Sequence, residues 1–185
     1  MAANPSIDRL YELERLTPGA IHRPRLVLSV AGGKGLNAAR AAASLGAGVE
    51  IGVGFVKINA AEAEEVSGHA VANVDQATVA GRVILQRARA SRVIVTLGAL
   101  GAVLVTREGA LHASLPMASA GQYTVGSGDA FLGGLATGIM EGASADDAVR
   151  LASAAAVANT MVPGPGVLDA SAARRLAQSV SLVEV

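Results

Sequence analysis

The feature of this sequence that most constrains its fold is the alternation of short β-branched segments with longer segments of helical character. The runs VEIGVGFV at 49–56 and RVIVT at 92–96 are rich in valine and isoleucine, as buried strands usually are. Helical segments lie between them, one beginning near Asn59 and another covering about 74–89. Strands that alternate with helices are typical of α/β proteins, in which helices connect parallel strands. The sequence therefore predicts an α/β fold with a largely parallel sheet.

Glycine and proline mark the boundaries of the other predicted elements. Two short extended segments are expected within 10–30, around the turn Thr17-Pro18-Gly19. The glycine turns within 91–114 divide that stretch into three strands of a β-meander. The remaining helices are predicted from about Leu36 to Leu45, from Gly126 to about Met140, from Ser144 (in a capping box with Asp147) to about Met161, and after the cap Asp169.

Composition excludes several classes of function. Fifteen basic and fifteen acidic side chains give a formal net charge of zero, so nothing favours binding to nucleic acid or to an anionic membrane surface. The absence of cysteine excludes disulfides and thiolate metal sites, and the three histidines lie far apart in the sequence. The longest apolar run, 93–105, is too short to span a membrane and contains two glycines. We therefore expect a globular, cytoplasmic protein whose partners are neither nucleic acid nor membrane.

One acidic residue follows directly after a glycine-rich loop. In TVGSGDAFLGGL at 124–135, Gly126, Ser127 and Gly128 precede Asp129 at the predicted start of a helix. Free backbone N–H groups and the helix dipole at such a place favour a phosphate-sized anion. A carboxylate beside that anion could take a proton from a hydroxyl that attacks the phosphate. Alternatively, Asp129 only stabilises the first helical turn, and the spacing alone supports both interpretations equally.

A second glycine-rich segment, AGGKGLNAARAAASLGA at 31–47, contains Lys34, one of only two lysines in the chain. Its spacing is not that of a P-loop, because the glycine that the motif needs before the lysine and the hydroxyl residue that it needs after it are absent. By itself the segment is an ordinary turn between a strand and a helix. In VKINAAE at 56–62, Asn59 and Glu62 likewise have the spacing of an ordinary capping box.

Together these segments resemble the signatures of the ribokinase-like, or PfkB-type, carbohydrate kinases. The first signature is Gly-Gly-Lys-Gly-x-Asn, present at 32–37, and the second is the segment at 124–135. Between them, VKINAAE resembles the family's Lys-Pro-Asn-x-x-Glu motif with Ile58 in place of proline, and TLGALG resembles its nucleotide-binding strand and turn. The N-terminal NPSIDRLYELERLTPGAIHRP is similar to the phosphosugar branch, which includes 1-phosphofructokinase and tagatose-6-phosphate kinase.

The resemblance implies a three-layer, Rossmann-like ribokinase fold, truncated and with a partial β lid. It also implies in-line phosphoryl transfer from ATP, with Mg²⁺, to fructose 1-phosphate, fructose 6-phosphate or tagatose 6-phosphate. Asp129 matches the family's general base, and the amides of Gly126, Ser127 and Gly128 match the groups that stabilise the developing charge. The positions that match the substrate side are Asp8, Gly32, Gly33, Lys34 and Asn37. Those that match the nucleotide side are Asn59, Thr96, Gly98, Gly101 and Asn159, and Glu62 matches the metal motif.

The chain also departs from the family pattern, because a long internal block is missing directly before VKINAAE. We expect residues 1–185 to form a single, incomplete ribokinase-like domain with a seam near 54–57 and the partial lid within 10–30. Two alternatives to an active phosphosugar kinase follow: a non-catalytic remnant or nucleotide-binding module, and a kinase of an unphosphorylated sugar or nucleoside. Little phosphofructokinase activity is expected, and a homodimer through the lid strands would cover exposed strand edges.

Overall fold

The structure of the protein is a computed structural model that describes residues 6–15, 17–18, 22, 24–32, 44, 54–116 and 121–185. The chain divides into two compact units, Met1–Ile51 and Gly52–Val185, which are described separately below. Of the helix predicted between Leu36 and Leu45, only Ser44, which is helical, lies among the described residues. No helix in the described ranges combines the length and the apolarity that crossing a bilayer requires.

The first unit contains an antiparallel ribbon of two strands, β1 (Ser6–Glu12) and β2 (Leu26–Gly32). The register pairs the first residue of β1 with the last residue of β2. Near the connection between them, Arg25 forms an ion pair with Glu14. The two predicted extended segments around the Thr17-Pro18 turn are therefore confirmed.

The second unit contains a five-stranded mixed sheet. The β-meander predicted within 91–114 is confirmed, because its strands pair as antiparallel neighbours. Only the first pair of the sheet is parallel, so the α/β class is confirmed but this sheet is not largely parallel. Short turns can join only antiparallel strands, whereas the one parallel pair is connected through two helices. In spatial order, the strands are β3 (Phe55–Asn59), β4 (Arg92–Thr96), β5 (Ala102–Val105), β6 (Ala110–Ser114) and β7 (Ser181–Glu184).

The sequence pattern does not predict β7, although this strand completes the sheet. Its four residues, SLVE, form a short segment that is mostly exposed, so hydrophobic alternation over it is weak. Pairing with β6 is what orders it, and this pairing joins segments about seventy residues apart in the chain. The contact is therefore visible only in the tertiary structure.

Within 54–116 and 121–185, five α-helices cover the sheet, and polar side chains define where several of them begin. Asn59 caps the first helix in a capping box with Glu62, as predicted, and Asp169 caps the last. At Ser144 the hydroxyl oxygen accepts from the N–H of Asp147 at 3.1 Å and also lies 2.7 Å from its carboxylate. The helices are α1 (Ala60–Ser67), α2 (Val74–Ala88), α3 (Ser127–Met140), α4 (Ala145–Thr160) and α5 (Ala170–Ala177).

The second unit has three layers, because the central strands are buried on both faces. On β4, Val93 and Val95 pack in a core with residues of α1 and α2. Ile94, between them, packs in the opposite core with residues of α3 and α4. The close contact of α3 with α4 depends on small side chains: a Cβ added to Gly134 would lie 2.9 Å from the Cα atom of Ala152. This packing fixes α3, and with it the loop that precedes the helix.

Candidate functional site

The candidate site is built around the first turn of α3. Gly126, the N-cap residue, has φ 86° and ψ −3°, in the left-handed region that glycine adopts without strain. A Cβ atom there would lie 2.5 Å from both the Cα atom of Pro165 and the amide nitrogen of Gly166. Both the backbone conformation and the neighbouring loop therefore require glycine. This close approach turns the chain sharply into the helix.

The first turn of α3 leaves two amides free for a ligand. The N–H of Ser127 donates to the carbonyl oxygen of Thr124 at 3.3 Å, and that of Ala130 donates to Gly126 at 2.8 Å. Between them, the N–H groups of Gly128 and Asp129 have no hydrogen-bond partner among the residues that the structure describes. Two consecutive free amides at the positive end of a helix dipole form a place where an anion is stabilised.

Lys57 brings a positive charge to the same place. Its Nζ atom lies 3.1 Å from the position that a Cβ of Gly128 would occupy. The segment VKINAAE by itself does not predict that Lys57 belongs to the site. Strand periodicity is the pattern that identifies it, since Phe55, two residues earlier on β3, packs in the core beneath α3. The side chain of Lys57 points to the same face, toward the first turn of α3.

Asp129 lies in the first turn of α3 and is exposed to solvent. Within 54–116 and 121–185, no side chain donates a hydrogen bond to its carboxylate, so its oxygens are open to the hydroxyl of a ligand. It lines a cavity of about 270 Å³ formed by α3, α4 and α5. Arg174 also lines this cavity, the smaller of the two described here, but its guanidinium donates to Glu141 at 2.6 Å. This hydrogen bond lowers the pKa of the Glu141 carboxyl below its ordinary value.

A larger cavity, of about 310 Å³, opens on the other side of the first turn of α3. Ser127 and Gly128 line it together with three residues of the predicted nucleotide site, Thr96, Gly98 and Gly101. The rest of its wall is largely apolar and comes from the turn after β4, from β6 and the two residues that follow it, from the segment before α3, and from α3 and α4. Its volume is within the range of about 300–1,000 Å³ that small-molecule sites occupy. The structure thus brings an apolar chamber next to the unpartnered amides of the first turn of α3.

The turn between β4 and β5 forms one wall of the larger cavity. Gly101 has φ 90°, and a Cβ atom there would clash with the carbonyl oxygen of Ala113 on β6. The turn is held further by the ring Nε2 of His112, which lies 2.6 Å from the carbonyl oxygen of Leu100. His112 was not predicted to support this turn. The pairing of β5 with β6 brings it there, and that pairing is a feature of the folded chain.

Asn159 is fully buried on α4 and does not line either cavity. Its Nδ2 donates to the carbonyl oxygen of Val125 at 3.1 Å and lies 3.4 Å from the hydroxyl of Ser127. Its Oδ1 accepts from the N–H of Gly166 at 2.7 Å. A direct contact with a nucleotide, as the family resemblance implies, would require one of these bonds to be replaced. These hydrogen bonds tie Asn159 to the two loops that frame Gly126, and a contact of Asn159 with a nucleotide stays a prediction.

Asn59 and Glu62 lie at the end of β3, where Asn59 pairs with Thr96 of the larger cavity. One carboxylate oxygen of Glu62 accepts from the N–H of Asn59 at 2.9 Å, so the capping function is established. Among the described residues, no three acidic or histidine side chains gather at one point to hold a metal. Mg²⁺ commonly retains several waters and takes one or two carboxylates plus substrate phosphates. The second oxygen of the exposed Glu62 fits that limited requirement.

The predicted substrate-side residues are described only in part. Asp8 lies on β1 and Gly32 ends β2, where their backbones belong to the ribbon of the first unit. Gly33, Lys34 and Asn37 lie outside the described residues.

Comparison with known proteins gives one consistent result. A sequence model of the family described as pfkB family carbohydrate kinase matches residues 51–170. The ATP-dependent 6-phosphofructokinase isozyme 2 of Mycobacterium tuberculosis is 32% identical over 117 residues, covering 63% of this chain and 34% of that protein. The 1-phosphofructokinase of Haemophilus influenzae is 27% identical over 143 residues, covering 77% and 45%.

A solved structure of phosphofructokinase-2 from Escherichia coli, in complex with substrates and products, is similar with a TM-score of 0.61 and 28% identity. The similarity covers 69% of this chain and 41% of that one. The chain thus spans between 34% and 45% of the length of these relatives. The matched segment includes the capping box at Asn59 and the loop before Asp129 but not the first signature.

Proposed function

Because the chain belongs to the pfkB family of carbohydrate kinases, we propose that it binds ATP and transfers the terminal phosphoryl group to a hydroxyl of a phosphosugar. The observation that carries the proposal is the first turn of α3. There, two free amides and the ammonium group of Lys57 lie together. The same turn contains Gly128, which lines the larger cavity, and Asp129, which lines the smaller one. Groups that hold phosphate and a carboxylate that can act as a base are among the parts that phosphoryl transfer needs, and the apolar chamber offers a place for the rest of the donor.

The donor occupies the larger cavity in this proposal. Its base and ribose lie against the apolar wall and the turn that contains Gly98 and Gly101. Its phosphates extend to the amides of Gly128 and Asp129, where the helix dipole and Lys57 offset their negative charge. These groups are in place before the reaction, so they stabilise charge that develops on the transferred phosphoryl group without reorganising.

Asp129 acts as the general base. It takes the proton of the acceptor hydroxyl, whose oxygen bonds to the γ-phosphorus while the bond from that phosphorus to the bridging oxygen breaks. The bridging oxygen keeps the electron pair and leaves as ADP, so no phosphoenzyme forms. Since the carboxylate has no hydrogen-bond partner in the described part of the chain, no donor competes with the acceptor hydroxyl for it.

Glu62 would hold Mg²⁺ through the carboxylate oxygen that faces away from Asn59, with waters and phosphate oxygens completing the shell. When bound, the metal supplies further neutralisation of phosphate charge. The side chain of Glu62 is already oriented by the capping box, so its free oxygen is presented without further ordering.

The acceptor is a phosphosugar of the fructose 1-phosphate, fructose 6-phosphate or tagatose 6-phosphate type in this proposal. Asp8, Gly32, Gly33, Lys34 and Asn37 are proposed to contact it, and the β1–β2 ribbon is proposed to be a partial lid of one incomplete domain. Four apolar side chains of the ribbon are about half exposed or more, and a second copy of the chain could cover them in a homodimer: Leu10, Tyr11, Leu26 and Val27.

The alternative, a nucleotide-binding remnant without activity, rests on the long internal block that the family pattern has directly before VKINAAE and that this sequence lacks there. It keeps the donor site but lacks the groups that would orient a second dianion. Because a misplacement of about 1 Å can cost on the order of a hundredfold in rate, binding and turnover need not survive together.

The test combines ATP titration calorimetry with a coupled ADP-release assay on monodisperse protein. Acceptors are the three phosphosugars, with fructose as a test of the unphosphorylated class. We expect ATP binding and turnover below about 1 per second, the lower end of ordinary kinase rates. Asp129→Asn should remove that turnover and leave ATP affinity unchanged. Asp146→Asn, which removes an exposed acid from the first turn of α4, is the matched control and should change neither.

Each outcome decides between the alternatives. Unchanged turnover in Asp129→Asn would reduce Asp129 to a residue that stabilises its helix. ATP binding without transfer to any acceptor would favour the remnant. Turnover at ordinary kinase rates would refute the remnant alternative. Absence of ATP binding would refute the assignment of the larger cavity as the donor site.

A further inference from the structure

The smaller cavity, of about 270 Å³, is separate from the proposed donor site and lies between α3, α4 and α5. Most of its wall is apolar. Leu151 on α4 and Leu168 in the loop that follows α4 contribute the largest apolar side chains, and alanine and glycine contribute most of the rest. On α3, a Cβ added to Gly133 would meet nothing within 4 Å, so the space beside this helix is open.

Two of the polar side chains in this wall already have partners within the protein. The hydroxyl of Thr137 donates to the carbonyl oxygen of Gly133 at 2.9 Å. The guanidinium of Arg174 donates to both carboxylate oxygens of Glu141, at 2.6 and 3.3 Å. The positive charge of Arg174 is therefore offset by a protein carboxylate, and the cavity has no free cation to hold an anionic ligand.

The carboxylate of Asp129 differs from these groups because it has no such partner. It is exposed at the cavity, and within 54–116 and 121–185 it takes part in no hydrogen bond and no ion pair. Lys57 lies near the same helical turn but forms no ion pair with it. The cavity thus combines an apolar wall with one negative charge that no described side chain offsets.

We propose that the smaller cavity binds an organic ammonium ligand, a primary amine on a compact apolar body. The apolar body would bury itself against the wall around Leu151 and Leu168, and the ammonium group would donate to the carboxylate of Asp129. A cavity of about 150 Å³ can hold a benzene ring, so this one has room for such a ring and a short arm. The ligand would cover the carboxylate that the proposed function assigns as the base, but its binding does not require that function.

The test compares two small probes of nearly equal size, benzylamine, which is protonated at neutral pH, and benzyl alcohol, which is uncharged. Both are titrated into the protein, and their Kd values are measured by ligand-observed NMR. We expect wild-type protein to bind benzylamine about fivefold more tightly, as for an ion pair that water still reaches. In Asp129→Asn, the two probes should bind equally. Asp146→Asn, which removes an exposed acid that lines neither cavity, should keep the preference for the amine.

A second pair of variants locates the binding site. Gly133→Leu places a side chain in the cavity and should abolish binding of both probes. Because leucine favours a helix more than glycine does, this variant should melt at the wild-type temperature or above it. Ala136→Leu is the matched control, since Ala136 is exposed on the same helix and lines neither cavity. It should bind both probes as wild-type protein does.

Three results would overturn the inference. Equal affinity of wild-type protein for the two probes, or a preference for the amine that persists in Asp129→Asn, would show that the carboxylate does not recognise the ammonium group. Binding that survives in Gly133→Leu would place the ligand outside the cavity. Absence of binding by either probe would show that the cavity holds only water. If wild-type protein bound the amine as expected but no ATP, the proposed function would fail and this inference would stand.

Discussion

Replacing Asn159 with alanine tests whether this buried amide holds the loops around Gly126. The change removes the acceptor for the N–H of Gly166 and the donor to the carbonyl oxygen of Val125. An unpartnered buried group costs about 1–3 kcal/mol, and because both backbone residues are partly open to water, we take the lower figure for each. The sum is a loss of about 2 kcal/mol in the free energy of unfolding. For a chain of this size, that corresponds to a fall of about 4–8 °C in Tm.

The assay pairs thermal unfolding, followed by circular dichroism, with calorimetric titration of tripolyphosphate. Because Asn159 fixes the loop that leads into Gly126, we expect the affinity for tripolyphosphate to fall together with Tm. Asn73→Ala is the control, since Asn73 also accepts from a backbone N–H, that of Gln76 at 2.9 Å, but at the start of α2. This control should lower the free energy of unfolding by about 1 kcal/mol, the usual cost of losing an N-cap residue. The affinity for tripolyphosphate should stay unchanged.

One result would refute this reasoning directly. If Asn159→Ala lowered the affinity for ATP but left both Tm and the affinity for tripolyphosphate at their wild-type values, Asn159 would contact the nucleotide base itself. The contact implied by the family resemblance would then be correct, and the positioning role that the hydrogen bonds indicate would be wrong.

Three further variants probe the site. Lys57→Met should weaken tripolyphosphate binding by about tenfold or more, as expected for a lost hydrogen bond to a charged group, with little change in Tm; unchanged affinity would place Lys57 outside the site. Glu62→Gln should raise the Mg²⁺ concentration needed for ATP binding while keeping the capping box with Asn59; if only Tm changes, capping is its sole role. Gly101→Ala should lower the free energy of unfolding by about 1–3 kcal/mol, because φ of Gly101 is positive and the facing strand leaves no space for a Cβ. Gly109→Ala, where a Cβ would meet nothing within 4 Å, should leave the stability unchanged, and equal Tm values for the two variants would contradict this reasoning.

Local chemistry made several elements predictable from the sequence. Asn59 and Glu62 of the capping box are three residues apart, and the glycine loop occupies the three residues before Asp129. Both patterns are therefore recognisable in a short stretch of sequence. The meander within 91–114 is predictable for the same reason, since glycine turns and β-branched runs are local patterns. The resemblance to the carbohydrate kinases also rests on such short segments.

Other features depend on residues that meet only when the chain is folded. Lys57 lies beside Gly128 because β3 runs beneath α3, and β7 is ordered by pairing with β6. The mixed character of the sheet has the same origin, because strand direction depends on how the connections cross the sheet rather than on the composition of each strand.

The clearest contrast is between two polar residues of α4. In the sequence, Ser153 and Asn159 are both polar positions in an alanine-rich helix, and only Asn159 is marked by the family pattern. In the structure, Asn159 is saturated with hydrogen bonds to two loops, whereas Ser153 is left unpartnered at a cavity. Hydrogen-bond satisfaction is a property of the three-dimensional surroundings, because the partners come from segments distant in the chain. The helix was therefore predictable from its residues, but which of its polar side chains finds hydrogen-bond partners was decided by tertiary packing.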